Sequence, residues 1–224
     1  MTTPLLIVGA GEFADIAYEY FTYDSDYDVV GFAVEAAFRE GDTHCGLPLI
    51  DLETVEDHFD PLEVKAHVAV TNTQLNRVRE RLVGVMREKG YGLANYISSH
   101  AFVWRTAELG ENVFIFENNV VQHGVKIGDG VVLWSGNHIG HQTEIGEFCF
   151  LSSHVVVSGY CKIGRRCFVG VNASFADNIE IGEDCFVGLA TVVNKSFKEP
   201  GQLLTGHPAE PSRVSTYRYF KLKN

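Results

Sequence analysis

No run of apolar residues in this 224-residue chain approaches the length needed to cross a bilayer. The sequence therefore offers no helical membrane anchor. Positive charge is scarce, with 18 Lys and Arg against 29 Asp and Glu and a net charge of −11. That balance argues against nucleic acid and against an anionic membrane as partners. The opening residues, Met1 to Glu12, have no basic segment ahead of their apolar run, so no secretory leader is expected. Cysteine is sparse. Of the five, Cys149, Cys161, Cys167 and Cys185 fall at positions expected to point inward, which argues for reduced thiols and a cytoplasmic address.

What the chain does have is a strict period of six. From Ile97 to Val193 every sixth residue is apolar, 17 positions without an insertion. The next residue is Gly at 110, 128, 140, 146, 164, 170, 182 and 188, and the residue four after the apolar one is small or slim. This period fits neither a helix face nor a hairpin meander; it is that of a parallel β-helix built from hexapeptides. Three hexads make one triangular coil of 18 residues, and stacked coils place like residues in ladders 18 apart. The large aliphatic residue points inward, the small one fills the corner, and Gly is expected to take angles that bulkier residues resist. Cys149, Cys167 and Cys185 form one such ladder. Buried Cys acting as a small hydrophobe explains it better than a metal site.

The first 90 residues read differently. Leu5–Val8 is a buried strand, Gly9-Ala10-Gly11-Glu12-Phe13-Ala14 is a G-x-G-x-x-A turn, and Ala14, Ile16, Ala17, Tyr20 and Phe21 make a helical stripe. A second strand, Val29–Val34, ends at Glu35. A third stretch, Ala66–Val70, ends at Thr71-Asn72 and leads into an Arg-rich helix through residue 89. This predicts a small Rossmann-like α/β domain with a parallel sheet of three to five strands over 1–90, then a β-helix over 97–195 and a basic, aromatic tail over 196–224. The Gly turn sits where a helix N-terminus would hold a phosphate, and Glu35 sits where a ribose-binding acid is expected. Gly9, Gly11, Glu12, Phe13, Glu35, Thr71 and Asn72 are thus candidates for a nucleotide, which the short domain fits better than a dinucleotide. A domain that merely caps the β-helix is the alternative.

A filled prism has no internal pocket, so chemistry belongs on an outer edge or between subunits. His123 and His141 are 18 apart and share an edge, with Arg105 below and Gly159 above, where Gly leaves space for a ligand. Asn118, Gly136, His154 and Asn172 make a second ladder. Charge is uneven too: residues 1–96 hold 17 acids and 7 bases, residues 160–224 hold 6 and 9. The basic end, with Lys162, Arg165, Arg166, Lys195 and Lys198, suits a polyphosphate ligand as well as it suits an ordinary solvated surface. Phe114, Phe116 and Trp134 lie outside the inward positions and are expected against a neighbouring subunit.

The G-x-G start, the hexads, Val30-Gly31-Phe32 and the terminal Gly206-His207-Pro208-Ala209 resemble the two-domain, left-handed β-helix sugar acetyltransferases. Within them they are most similar to those acting on nucleotide-linked amino sugars for bacterial surface glycans such as lipopolysaccharide, and to sialic acid O-acetyltransferases. The resemblance implies left-handed winding, against the usual right-handed crossover. It implies a homotrimer with sites between subunits, acetyl-CoA as cosubstrate, a nucleotide-linked sugar on the Gly turn, and no need for a metal. It places the catalytic base on His141, in Ile139-Gly140-His141-Gln142. The family's acidic residue after the His is here Gln142, and a second family His falls on Phe150. Glu144, Glu117 or a main-chain carbonyl are the candidates to orient the imidazole, with His123 and Gln142 in support. CoA would lie toward the C-terminal coils, near Gly159, Gly170, Asn172 and Gly188. N-acetylation of an amino sugar, O-acetylation of a hydroxyl and a non-catalytic assembly module all remain open on the sequence.

Overall fold

The computed structural model describes residues 2–222. Its N-terminal sheet has five strands in the order β3-β4-β2-β1-β5: β1 (Thr3–Val8), β2 (Tyr27–Val34), β3 (Thr43–His44), β4 (Leu47–Asp51) and β5 (Lys65–Val68). Only β3 runs antiparallel, in a hairpin with β4 that the sequence reading did not anticipate. Two helices flank the sheet. In α1 (Glu12–Tyr23) the buried residues are Phe13, Ala14, Ala17 and Phe21; in α2 (Arg77–Glu88) they are Arg79, Leu82, Val83 and Met86. Both stripes have helical spacing. The alternation of β1 assigns the helices to opposite faces: Leu5 and Ile7 pack with α1, Leu6 and Val8 with α2. No helix among the described residues is long and apolar enough to cross a membrane.

From Tyr96 to Val193 the chain winds as a three-sided prism with a two-residue strand every six residues, each as far as Ser174–Phe175 paired in parallel with the strand 18 residues on, as in His138↔Val156 and Ile139↔Val157. No antiparallel pair occurs in this stretch among the described residues. The second residue of each strand points inward, and the Ile, Leu, Val and Cys ladders form one core. Phe197, Leu204 and Ala209 close its far end, while Ile97 at the near end is 40% exposed.

The glycine after the apolar residue has a different role from the one expected. The left-handed position lies two residues later, at Asn118, Gln142, His154, Tyr160 and their equivalents, with φ from +52 to +78. At Gly128 and Gly146 the constraint is proximity. A Cβ there would sit 2.6 Å from the Glu147 nitrogen and 2.7 Å from the Arg165 nitrogen of the next coil. Coil stacking, rather than backbone angle, demands Gly at this position.

The outward residues give each side of the prism its own chemistry. One side is charged, with Glu108, Lys126, Glu144, Lys162 and Glu180 in register. One is mainly apolar and open, with Phe102, Val156 and Val192 exposed along it and His138 and Ser174 on the rungs between. The third is aromatic, with Tyr96, Phe114, Val132, Phe150, Phe168 and Phe186. The aromatic side docks on the N-terminal sheet. Phe114 and Phe116, expected at a subunit contact, are instead buried under the chain's own α1, in edge and tilted contact with Phe13, Tyr20 and Phe21. Trp134 packs on Phe13 and Phe116 in the same cluster. Farther up, α3 (Thr216–Tyr219) lays Tyr219 and Phe220 against Phe186, so the tail packs on its own last coils.

Arg79 fastens the two parts from the α2 side. It is fully buried, and its guanidinium donates to the carbonyls of Val70, Thr71, Gly130, Phe148 and Cys149 and to Asn76 Oδ1, at 2.6–3.3 Å. Burial pulls its pKa down from 12.5 to about 9, so it remains charged at neutral pH without facing a carboxylate. Replacement by Met strands those carbonyls in the interior. Arg79→Met is expected to cost about 3–5 kcal/mol, seen as a thermal midpoint lower by roughly 10 °C; a loss under about 1 kcal/mol would show that the contacts carry little of the docking.

His67 on β5 is 1% exposed, between Phe21 and Phe114, and its Nδ1–H donates to the Ala94 carbonyl at 2.9 Å. Burial pushes its pKa down to about 4. Below the ordinary imidazole range the unfolded chain therefore binds a proton that the folded chain refuses. Stability is full above about pH 6.5 and is lost as pH falls toward 4. Urea unfolding should lose about 2 kcal/mol between pH 7 and pH 5 through this group alone. His67→Leu, though weaker at pH 7, should show a shallower decline; an unchanged decline would assign the acid sensitivity to other residues.

Candidate active site

The Gly turn leads from the C-terminal end of β1 into α1. Order β4-β2-β1-β5 reverses direction across β1, so this edge is where open parallel sheets bind ligands. A cavity of about 340 Å³ opens there, walled by Gly9, Ala10, Glu35, Phe38, Gln74 and Arg81 among others. Gly9 has φ +132, and a Cβ on it would meet the Ala69 carbonyl oxygen at 2.7 Å. Gly11, the N-cap of α1, differs: a Cβ there meets nothing within 4 Å, and the backbone is extended. Gly9 is thus needed by the fold, whereas Gly11 leaves room in front of a helix N-terminus.

The other residues expected around this turn divide. Glu12 is exposed in the first turn of α1. Phe13 is buried against Phe114, Phe116 and Trp134, which makes it packing rather than a ligand contact. Thr71 and Asn72 turn their carbonyls to Arg79 and to the Asn76 N–H, and the cavity is lined instead by Thr73 and Gln74. Glu35 is on the wall, but Arg81 already holds both its oxygens, at 2.9 and 2.8 Å. A ribose there would meet a neutralised fork rather than a free carboxylate. Gln74, Leu75 and Asn76 are all left-handed, with φ of 52, 52 and 67.

His123 and His141 stand on one corner of the prism, the turn leaving the apolar side. With Phe102, Trp104 and Gln122 they line a cavity of about 260 Å³. Gln122 fixes His141: its Oε1 accepts from the His141 main-chain N–H at 2.9 Å and lies 3.4 Å from Nδ1. With Nδ1–H directed at the amide oxygen, Nε2 keeps its lone pair. The ring also meets Tyr160 edge-on, centroids 5.0 Å apart. The space above Gly159 is taken by the imidazole itself: a Cβ would lie 2.6 Å from His141 Cε1 and 2.8 Å from Nε2. Gly159 is therefore the seat of the ring, rather than an opening for a ligand. His123 Nδ1 bonds Thr106 Oγ1 at 2.7 Å.

The structure brings neither expected carboxylate to His141. Glu144 lies on the charged side between Lys126 and Lys162. Glu117 faces α1, where Tyr20 Oη donates to it at 3.1 Å. The Gln142 side chain lies over Gly124. Gln122 escaped the sequence reading because it sits one coil earlier, 19 residues from the His it holds. The signal was available: Gln122 occupies the corner position next to His123 on the ladder already singled out. Gly170, Asn172 and Gly188 belong to another corner, between the aromatic and apolar sides. Within one chain they do not meet His141.

Nor is the basic end free. Arg166 bonds Asp184 at 2.7 Å and reaches Glu183 and Glu80; Arg165 pairs with Glu80, Lys195 with Glu210, and Lys198 with Glu180. Lys162 stands between Glu144 and Glu180. These cations tie α2, the coils and the tail together, so the expected phosphate-binding surface is largely neutralised by its own acids.

Residues 106–141 match the family model described as bacterial transferase hexapeptide (six repeats). The prism is a hexapeptide-repeat β-helix. No curated protein matches the sequence of the chain. Among solved structures, the acetyltransferase domain of PglB from Neisseria gonorrhoeae FA1090 superposes with a TM-score of 0.83 at 23% identity, covering 94% of this chain and 100% of that one. PerB from Caulobacter crescentus, in complex with CoA and GDP-perosamine, gives 0.81 at 24%, covering 95% and 98%. WeeI from Acinetobacter baumannii AYE gives 0.64 at 18%, covering 94% and 100%. The hexapeptide-repeat chain thus shares with them both parts of its fold, the small Rossmann-like sheet and the left-handed β-helix.

Gly11 gives a clean test of the turn. Gly11→Val puts a branched side chain into the approach to the helix N-terminus, with its Cβ in open space. It should change stability by less than about 1 kcal/mol while lowering affinity for a nucleoside diphosphate by at least about tenfold; calorimetric titration measures both nucleotide and acetyl-CoA. Unchanged nucleotide affinity would remove the turn from the ligand site, and equal loss of both ligands would mark a folding defect.

Proposed function

We propose that the chain is an acetyl-CoA-dependent N-acetyltransferase acting on a nucleotide-linked amino sugar, a cytoplasmic enzyme of bacterial surface glycan synthesis. The observation that carries this reading is the held imidazole of His141, with Nε2 free beside an aromatic cavity, in a chain whose other part opens a nucleotide-sized cavity at a Gly turn. The shared fold with PglB and PerB supports it; PglB has been solved with acetyl coenzyme A, and PerB with CoA and GDP-perosamine.

In this mechanism His141 Nε2 takes a proton from the sugar amine as the nitrogen attacks the thioester carbonyl. A C–N bond forms, the C–S bond breaks, and the imidazolium returns the proton to the departing CoA thiolate. A main-chain N–H steadies the oxyanion. Gln122 sets the tautomer but, being neutral, adds no charge to steady the imidazolium. Copies of the chain pack through the apolar side into a homotrimer, which brings the His141 corner of one to the Gly170–Asn172–Gly188 corner of another, where CoA lies. Exposure of Phe102 at 52%, Trp104 at 43% and Val156 at 43% supports this side as the contact.

Thiol release from acetyl-CoA, measured against a panel of nucleotide-linked amino and hydroxyl sugars, tests the assignment. Turnover confined to hydroxyl sugars would make it an O-acetyltransferase, and none with any sugar a binding module. His141→Asn should lower turnover by about 10²- to 10⁴-fold with the oligomer intact, and His123→Asn should do less. Near-full activity in His141→Asn, with loss in His123→Asn, would move the base one coil down.

A further inference from the structure

Far from the His141 corner, the β3–β4 hairpin folds onto the first turn of α1. Its two-residue loop is Cys45-Gly46, with φ of 48 and 79, and His44 ends the strand before it. Such loops take Asn, Asp or Gly at their first position, because a Cβ is strained there. Cys is an unusual occupant, and its placement directs the thiol beside His44 toward the helix. Cys45 is also the exposed one of the five cysteines; the other four fill the prism.

Three donors of different kinds meet. Asp15 Oδ1 lies 2.5 Å from His44 Nε2 and 3.7 Å from Cys45 Sγ, and one ligand atom from each residue lies within 4.8 Å of the others. The imidazole is already aimed: it packs edge-on against buried Phe32, centroids 4.7 Å apart. Glu19 follows one turn after Asp15 on the same face of α1.

From this geometry we infer that Asp15, His44 and Cys45 form a zinc-binding site that clamps the β3–β4 hairpin to α1. The donor set of imidazole nitrogen, thiolate and carboxylate oxygen is the one zinc selects over calcium or magnesium. Two anionic ligands neutralise the ion, and Glu19 or water completes the tetrahedron. Without a cation the site disfavours the thiolate, since partial burial and then the charge of Asp15 raise the Cys45 pKa. A divalent ion reverses that balance and releases the thiol proton on binding. The clamp holds the helix that follows Gly11 and takes no part in acyl transfer.

The full-length, untagged chain, stripped with chelator, is titrated with Co²⁺ as a spectroscopic probe and then with Zn²⁺. The expected result is a thiolate-to-cobalt absorption in the near ultraviolet that saturates at one ion per chain, disappears on adding Zn²⁺, and is absent in Cys45→Ser. Asp15→Asn should weaken binding by at least about tenfold. Zn²⁺ should raise the thermal midpoint of the native chain and not that of Cys45→Ser, whose metal-free midpoint should equal that of the native chain. No thiolate-to-cobalt band in the native chain, or an equal band in Cys45→Ser, would overturn the site and leave a His44–Asp15 ion pair only.

Discussion

The two parts of this chain are held in one arrangement by a charge that has no counter-charge. Arg79 projects from α2 into the seam and spends its donors on main-chain carbonyls of the loop after β5 and of two successive coils. A guanidinium suits this role because its planar fork reaches several acceptors at once and stays protonated when buried. Carbonyls at the prism corners cannot all be satisfied by coil stacking where another body covers them. Arg79 satisfies those beneath α2, so the covering body and the covered corner specify each other. The cluster of Phe13, Tyr20, Phe21, Phe114 and Phe116 on the α1 side supplies apolar area but little direction; the arginine supplies the register.

That register decides what each side of the prism is free to do. The aromatic side is taken up by α1 and, higher, by α3. The charged side alternates Glu and Lys from rung to rung. The apolar side is left, and the corner carrying His141 borders it. The candidate chemistry thus lies beside the side on which Phe102, Val156 and Val192 stay exposed.

The period of six made the β-helix and its inward residues legible, because each coil repeats a local rule. The Gly turn and the first strands were legible for the same reason. Contacts between coils and sheet were not. Phe114 and Phe116 read as exposed because periodicity says which side a residue is on and nothing about what covers it. Arg79 read as one of several helix arginines, since its partners on the coils lie 51 to 70 residues away. His141 was singled out by its ladder and by resemblance, yet its orienting group was sought among carboxylates nearby in sequence. The group found, Gln122, is an uncharged amide from the coil below. Glu35 was read as a ribose-binding acid from its place after the second strand; its pairing with Arg81, 46 residues on, was not legible.

The alternating Glu and Lys on the charged side carry a rule about length. Glu108, Lys126, Glu144, Lys162 and Glu180 stand one coil apart, so every rung has neighbours of opposite sign. Excising one coil of 18 residues would keep every inward ladder intact, but it would set Glu against Glu or Lys against Lys at the seam. Excising two coils restores the alternation. The core of this prism is indifferent to the number of its coils, while its charged side distinguishes odd from even.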